Sequence, residues 1–158
     1  MPAHLRRIRW IAAGCLALAL LLLTGGGCKK LAAAAGDRSA LEALFEENIL
    51  NRTFIVHLAT DNGADITSQF SGYNFVLTKD TSFYGGPMTG TRNGVVYSGT
   101  WACNEDFSKL TINITTPAPP AEFSFINRSW RFAKKAFPIM ELGPWGSTEP
   151  KVLHMERL

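Results

Sequence analysis

The chain predicts an all-β protein, an antiparallel up-and-down barrel of eight strands, with a flattened two-sheet sandwich as the alternative. Three observations carry this. Leu110, Ile112 and Ile114 interleave with Thr111, Asn113 and Thr115, the period of a strand with one buried face and one wet face. Turn signals, Asp61-Asn62-Gly63 and Arg92-Asn93-Gly94 among them, recur at the spacing of small antiparallel domains. One segment alone has helical spacing, and it is too short to cover such a sheet. Closing the sheet on itself hides the apolar face and removes the exposed edges.

Residues 1–27 have the order of a lipoprotein signal peptide. Arg6, Arg7 and Arg9 precede an apolar run from Trp10 to Leu23, and Gly25-Gly26-Gly27 lead to Cys28. The run is shorter than the roughly 18 residues that a spanning helix needs. Cys28 is the expected lipidation site, carrying diacylglycerol and palmitate as the first mature residue. Gly25 stands where the usual box has Leu, Val or Ile, and an uncleaved anchor is the rival reading. Residues 28–37 read as a lipid-anchored tether, and 38–158 as the barrel domain with its N-terminal helix.

Within that domain, Ser39-Ala40-Leu41-Glu42 has the form of a capping box, and Leu41, Leu44 and Phe45 follow at helical spacing. This predicts a helix from about Ser39 to Leu50, placed to plug one end of the barrel. Phe54, Val56 and Leu58 then alternate with Ile55, His57 and Ala59, and Tyr73, Phe75 and Leu77 with Asn74, Val76 and Thr78. Phe83 to Thr91 is a weaker strand, where Gly85-Gly86-Pro87 suggests an edge or a bulge. Val95, Tyr97 and Trp101 share one face of the next strand. Thr116 to Pro120 reads as a proline-rich loop. Trp130 and Phe132 open a further strand, and Pro138 to Leu142 and Lys151 to Leu158 supply the last two.

Charge excludes one class of partner. The chain has 16 basic and 13 acidic residues, and Arg6, Arg7 and Arg9 lie before Cys28 with no acid beside them. The remainder carries 13 of each sign, so no nucleic-acid footprint is present. Cys15 falls in the leader and Cys28 carries lipid, which leaves Cys103 as a small apolar residue with no disulfide partner. No cofactor and no metal site is expected. His57 and His154 fall on outward faces of neighbouring strands without a carboxylate partner in sequence, and Cys103 is followed by an acidic turn that raises a thiol's pKa. Catalysis is not expected.

The aromatic residues are the better lead. Phe54, Tyr73, Phe75, Tyr97, Trp101, Trp130 and Phe132 all fall on faces predicted to point inward. Such rings either fill a core or line a pocket for a small apolar guest, and composition does not separate the two. If there is a pocket, Tyr73, Phe75, Tyr97, Trp101 and Trp130 are its ligand-binding residues.

The order of Asp65-Ile66-Thr67, Phe70-Ser71-Gly72-Tyr73-Asn74-Phe75, Gly99-Thr100-Trp101, Leu110-Thr111-Ile112, Trp130-Arg131-Phe132 and Leu153-His154-Met155 resembles bacterial lipocalin-like lipoproteins from about Arg52 to the C-terminus. The resemblance implies a small lipocalin-like barrel behind a lipid anchor. True lipocalins carry Gly-x-Trp on the first strand, whereas Gly99-Thr100-Trp101 lies mid-chain. The expectation is a monomeric, non-catalytic envelope protein, anchored to a membrane (the outer one, facing periplasm or surface) and holding a small hydrophobic ligand. The alternative is an interaction or inhibitor module working through its outer surface and its loops, Thr116–Pro120 and Gly143–Pro150.

Overall fold

A computed structural model describes residues 40–158, so the predicted leader, Cys28 and the tether lie outside the described residues. Helix α1 covers 40–48. Nine strands follow: β1 (Thr53–Asp61), β2 (Ala64–Asp65), β3 (Asn74–Leu77), β4 (Gly85–Arg92), β5 (Val95–Cys103), β6 (Lys109–Thr116), β7 (Ser129–Ala136), β8 (Ile139–Pro144) and β9 (Lys151–Arg157). A one-turn helix, α2 (Phe123–Ile126), lies between β6 and β7. The strands pair antiparallel in the order β2-β1-β3-β4-β5-β6-β7-β8-β9, and β1 also pairs with β9. Leaving aside the two-residue β2, this is the expected closed barrel of eight antiparallel strands.

The turns are those the residue types require. Asn62 and Gly63 have φ of 52° and 80°, and Asn93 and Gly94 have 51° and 79°. Two consecutive left-handed residues make the hairpin turn whose twist matches the flanking strands. The second turn projects Val95 past the barrel rim, where it is 45% exposed, against the expectation that it shares the inward face of Tyr97 and Trp101.

Three irregularities shift the register. On β1, Val56 pairs with Met155 and Leu58 with His154, so His57 is the extra residue of a bulge. Beyond it the parity flips: Ala59 is buried and Leu58 turns outward, the reverse of a strict alternation. Ala133 is extra on β7, and Thr115 is extra on β6, opposite the Ser98–Gly99 step. Gly85-Gly86-Pro87 marks no edge or bulge, because it lies inside β4 with regular pairing to β5. A β-carbon on Gly86 would come 2.3 Å from the Thr78 carbonyl oxygen, so the glycine admits that backbone.

Both barrel ends are stoppered. At one end α1 inserts Phe45, whose ring centroid lies 4.6 Å from Phe107 and 5.6 Å from Trp101. Polar ties hold the helix down: Tyr84 Oη donates to Glu42 Oε1 at 2.5 Å, and Lys79 Nζ donates to Glu46 Oε1 at 2.7 Å. The opposite end is closed by α2, which buries Phe123, Phe125 and Ile126. The proline-rich loop predicted at Thr116–Pro120 leads into this second stopper, which a Phe-Ser-Phe-Ile segment hides because it reads as strand alternation.

Candidate functional site

The five aromatic candidates do not form one pocket. Tyr73, Phe75 and Tyr97 surround Phe123, with centroid separations of 5.0, 5.9 and 5.2 Å. Trp130 packs on Phe125 at 5.4 Å at the same end. Trp101 lies at the other end, against Phe45. Each of the five thus packs against an aromatic ring of a helix that closes a barrel end.

The polar atoms of Trp101, Trp130 and Tyr73 are also engaged. Trp101 Nε1–H donates to the Thr78 carbonyl at 2.9 Å, and Trp130 Nε1–H to the Ile126 carbonyl at 3.0 Å. Tyr73 Oη donates to Glu122 Oε1 at 3.0 Å. At the α1 end, a notch lined by Leu41, Leu44, Phe45, Ile49, Phe107, Phe132 and Phe137 holds about 20 Å³, the room of a single water.

Burial pushes the Tyr73 hydroxyl above its ordinary value of 10.0, with Glu122 adding to the effect and Arg92 opposing it. A group whose folded value is raised gives stabilisation that is complete below the unfolded value and is lost as pH rises through the folded one. The barrel is therefore expected to hold its urea midpoint up to about pH 10 and to lose stability above it. Tyr73→Phe should flatten that alkaline limb in urea titrations taken at successive pH values. An unchanged limb in Tyr73→Phe contradicts this assignment.

Outside, His57 and His154 lie on the neighbouring strands β1 and β9. His57 Nδ1 is 3.2 Å from Glu156 Oε2, a carboxylate that its own sequence neighbourhood does not supply. No group of three or more His, Cys, Asp or Glu among the described residues can hold a metal. Cys103 is half-buried against the core.

The larger concavity is on the outer face of β7, β8 and β9, beneath the exposed segment 145–150, with a volume of about 490 Å³. Arg131, Ala133, Glu141, Gly143, Ser147, Thr148, Glu149, Lys151, Val152 and His154 line it, together with Leu142 and Pro144. Its acids are tied. Glu141 pairs with Lys134 at 3.3 Å, and Glu149 with Arg128 at 3.0 Å. Hydrogen bonding from Arg128 holds the Glu149 carboxyl below its usual range. Lys151 Nζ bonds the Asp61 carboxylate, which fastens the far rim to β1. Strand alternation places Arg131 outward, but no sequence signal joins it to the residues of the 145–150 segment, which fold over it from beyond β8.

No family model and no curated protein matches the chain. Among solved structures it is similar to a DUF4847 family protein from Bacteroides vulgatus ATCC 8482, with a TM-score of 0.51 and 16% identity over 70% of this chain and 95% of that one. At that identity the likeness concerns the fold alone. It supports, with the closed meander above, a lipocalin-like β-barrel.

Proposed function

We propose that the protein is a monomeric, non-catalytic envelope lipoprotein, tethered through Cys28, that acts as an interaction module through the outer face of β7–β9 and its overhanging segment. The observation that carries this is the filled interior. The rings of Tyr73, Phe75, Tyr97 and Trp130 pack on α2, and Trp101 packs on α1, with both indole N–H groups bonded to backbone carbonyls. A concavity of about 490 Å³ lies outside, on β7–β9. Holding a small apolar ligand among those five residues is the second reading; the apolar notch beside α1 favours it, and a guest larger than one water must part the rings.

Site-specific photo-crosslinking in intact cells tests the proposal. A benzoylphenylalanine at Ala133 or Thr148 is expected to give a discrete adduct, and one at Thr89, on the opposite wall in β4, is expected to give none. Equal labelling at all three positions, or none at any, contradicts it. A small apolar mass that leaves with the protein on native mass spectrometry favours the second reading instead.

A further inference from the structure

Several cations on the described barrel have acids beside them. Lys79 is ion-paired with Glu46, Arg92 with Glu122, Arg128 with Glu149, Lys134 with Glu141, and Lys151 with Asp61 and Glu149. Lys109 and Arg131 belong to none of these pairs. The register of β6 against β7 nevertheless sets them directly opposite each other. Like charges facing across a strand pair destabilise it. An arrangement of this kind is relieved by an anion that the barrel does not itself supply.

The geometry around Arg131 fits that role. Its partner on β8 is Gly143, and a β-carbon there would lie 3.4 Å from Arg131 Nε, 3.6 Å from Nη2 and 3.8 Å from Cζ. Cζ is the farthest of the three, so the glycine lies toward the Nε–Nη2 edge of the guanidinium. Arg131 lines the groove, and a guanidinium can take a carboxylate there through two parallel hydrogen bonds. Ser147 Oγ accepts the Glu149 N–H at 3.0 Å, which leaves its own O–H to donate. Trp145, 41% exposed, stands at the rim with its ring centroid 5.7 Å from Lys109 Nζ. Tryptophan and arginine are both enriched among the residues that carry binding energy at protein interfaces.

We propose that Lys109 and Arg131, with Trp145 beside them, dock an aspartate- or glutamate-bearing segment of a partner protein in the groove above Gly143. This rests on the outer-face reading above and adds the chemistry of the partner. The groove's own carboxylates, Glu141 and Glu149, are held by Lys134, Arg128 and Lys151 and do not compete.

The test is an NMR titration of the full-length protein in detergent, following arginine Nε–Hε signals, with tetraglutamate, tetralysine and free glutarate as probes. Tetraglutamate is expected to move the Arg131 signal to saturation. Lys109→Ala should weaken it at least about tenfold, and in Arg131→Ala the remaining arginine signals should stay unmoved. Gly143→Val, which adds bulk beside the Nε–Nη2 edge of the guanidinium while keeping both charges, should weaken binding similarly, and Lys79→Ala should not. Equal shifts at all basic side chains overturn the proposal, as does equal binding of tetralysine. Glutarate binding as tightly as the peptide also overturns it, in favour of a small-acid site. If the Thr148 crosslink forms undiminished in Arg131→Ala, the outer-face reading stands and the carboxylate inference alone falls.

Discussion

Gly99→Ala is expected to abolish cooperative folding. A β-carbon at Gly99 would lie 2.0 Å from the Asn113 carbonyl oxygen and 2.5 Å from Ile114 Cα. Both atoms are backbone of the neighbouring strand, so no rotamer change relieves the clash. Gly99 sits at the β5–β6 register shift, where β6 closes in on β5 around the extra Thr115. Relief requires pulling the strands apart in the middle of a closed sheet. The expected cost exceeds about 4 kcal/mol, beyond the ordinary run of point substitutions and comparable to much of a domain's stability. Gly94→Ala is the control: its β-carbon meets nothing within 4 Å, and only its φ of +79° is unfavourable. That change should cost about 1–2 kcal/mol. Urea unfolding followed by circular dichroism checks both. A Gly99→Ala protein with the wild-type midpoint contradicts the bulge.

Trp101→Ala is expected to cost about 3–5 kcal/mol, the range for removing a large ring from a packed core. Trp101 is 1% exposed, lies against Phe45, and donates its indole N–H to Thr78 O. Truncation therefore leaves a cavity under α1 and an unpaired carbonyl. The surrounding backbone cannot collapse into the space easily, because Gly86, cross-strand partner of Trp101, already brings the Thr78 carbonyl close. Were Trp101 instead the wall of an open pocket, its loss would enlarge existing space and cost far less. The wild-type and variant urea midpoints decide between these.

Much of this architecture was legible because it depends on period-two burial and on asparagine–glycine turns. Strands β3 and β6 bury the residues that alternation selects: Phe75 and Leu77, then Leu110, Ile112 and Ile114. What alternation misses are single-residue insertions. Nothing about His57 or Ala133 announces an extra residue, because a bulge is decided by the partner strand's register. For the same reason Ala59 and Leu58 exchange faces. Helix α2 was hidden for a different cause: one turn is too short to show helical period, and its apolar residues answer to the open barrel end above them. The candidate aromatic residues were correctly placed inward, but the sequence does not show that Phe123, Phe125 and Phe45 come from outside the strands to pack against them. The outer groove was least visible. It joins β7 and β8 to a segment whose path over them is set by tertiary structure.

The barrel fills its interior with its own rings. Calorimetric titration of indole into the full-length protein and into Trp101→Ala reads this directly, since an apolar cavity the size of a lost side chain takes up a matching apolar guest. The expected result is saturable binding to Trp101→Ala, with partial recovery of its urea midpoint, and no binding to the wild type. Saturable binding of indole to the wild type at least as tight as to the variant would contradict the account and establish a standing pocket in the barrel.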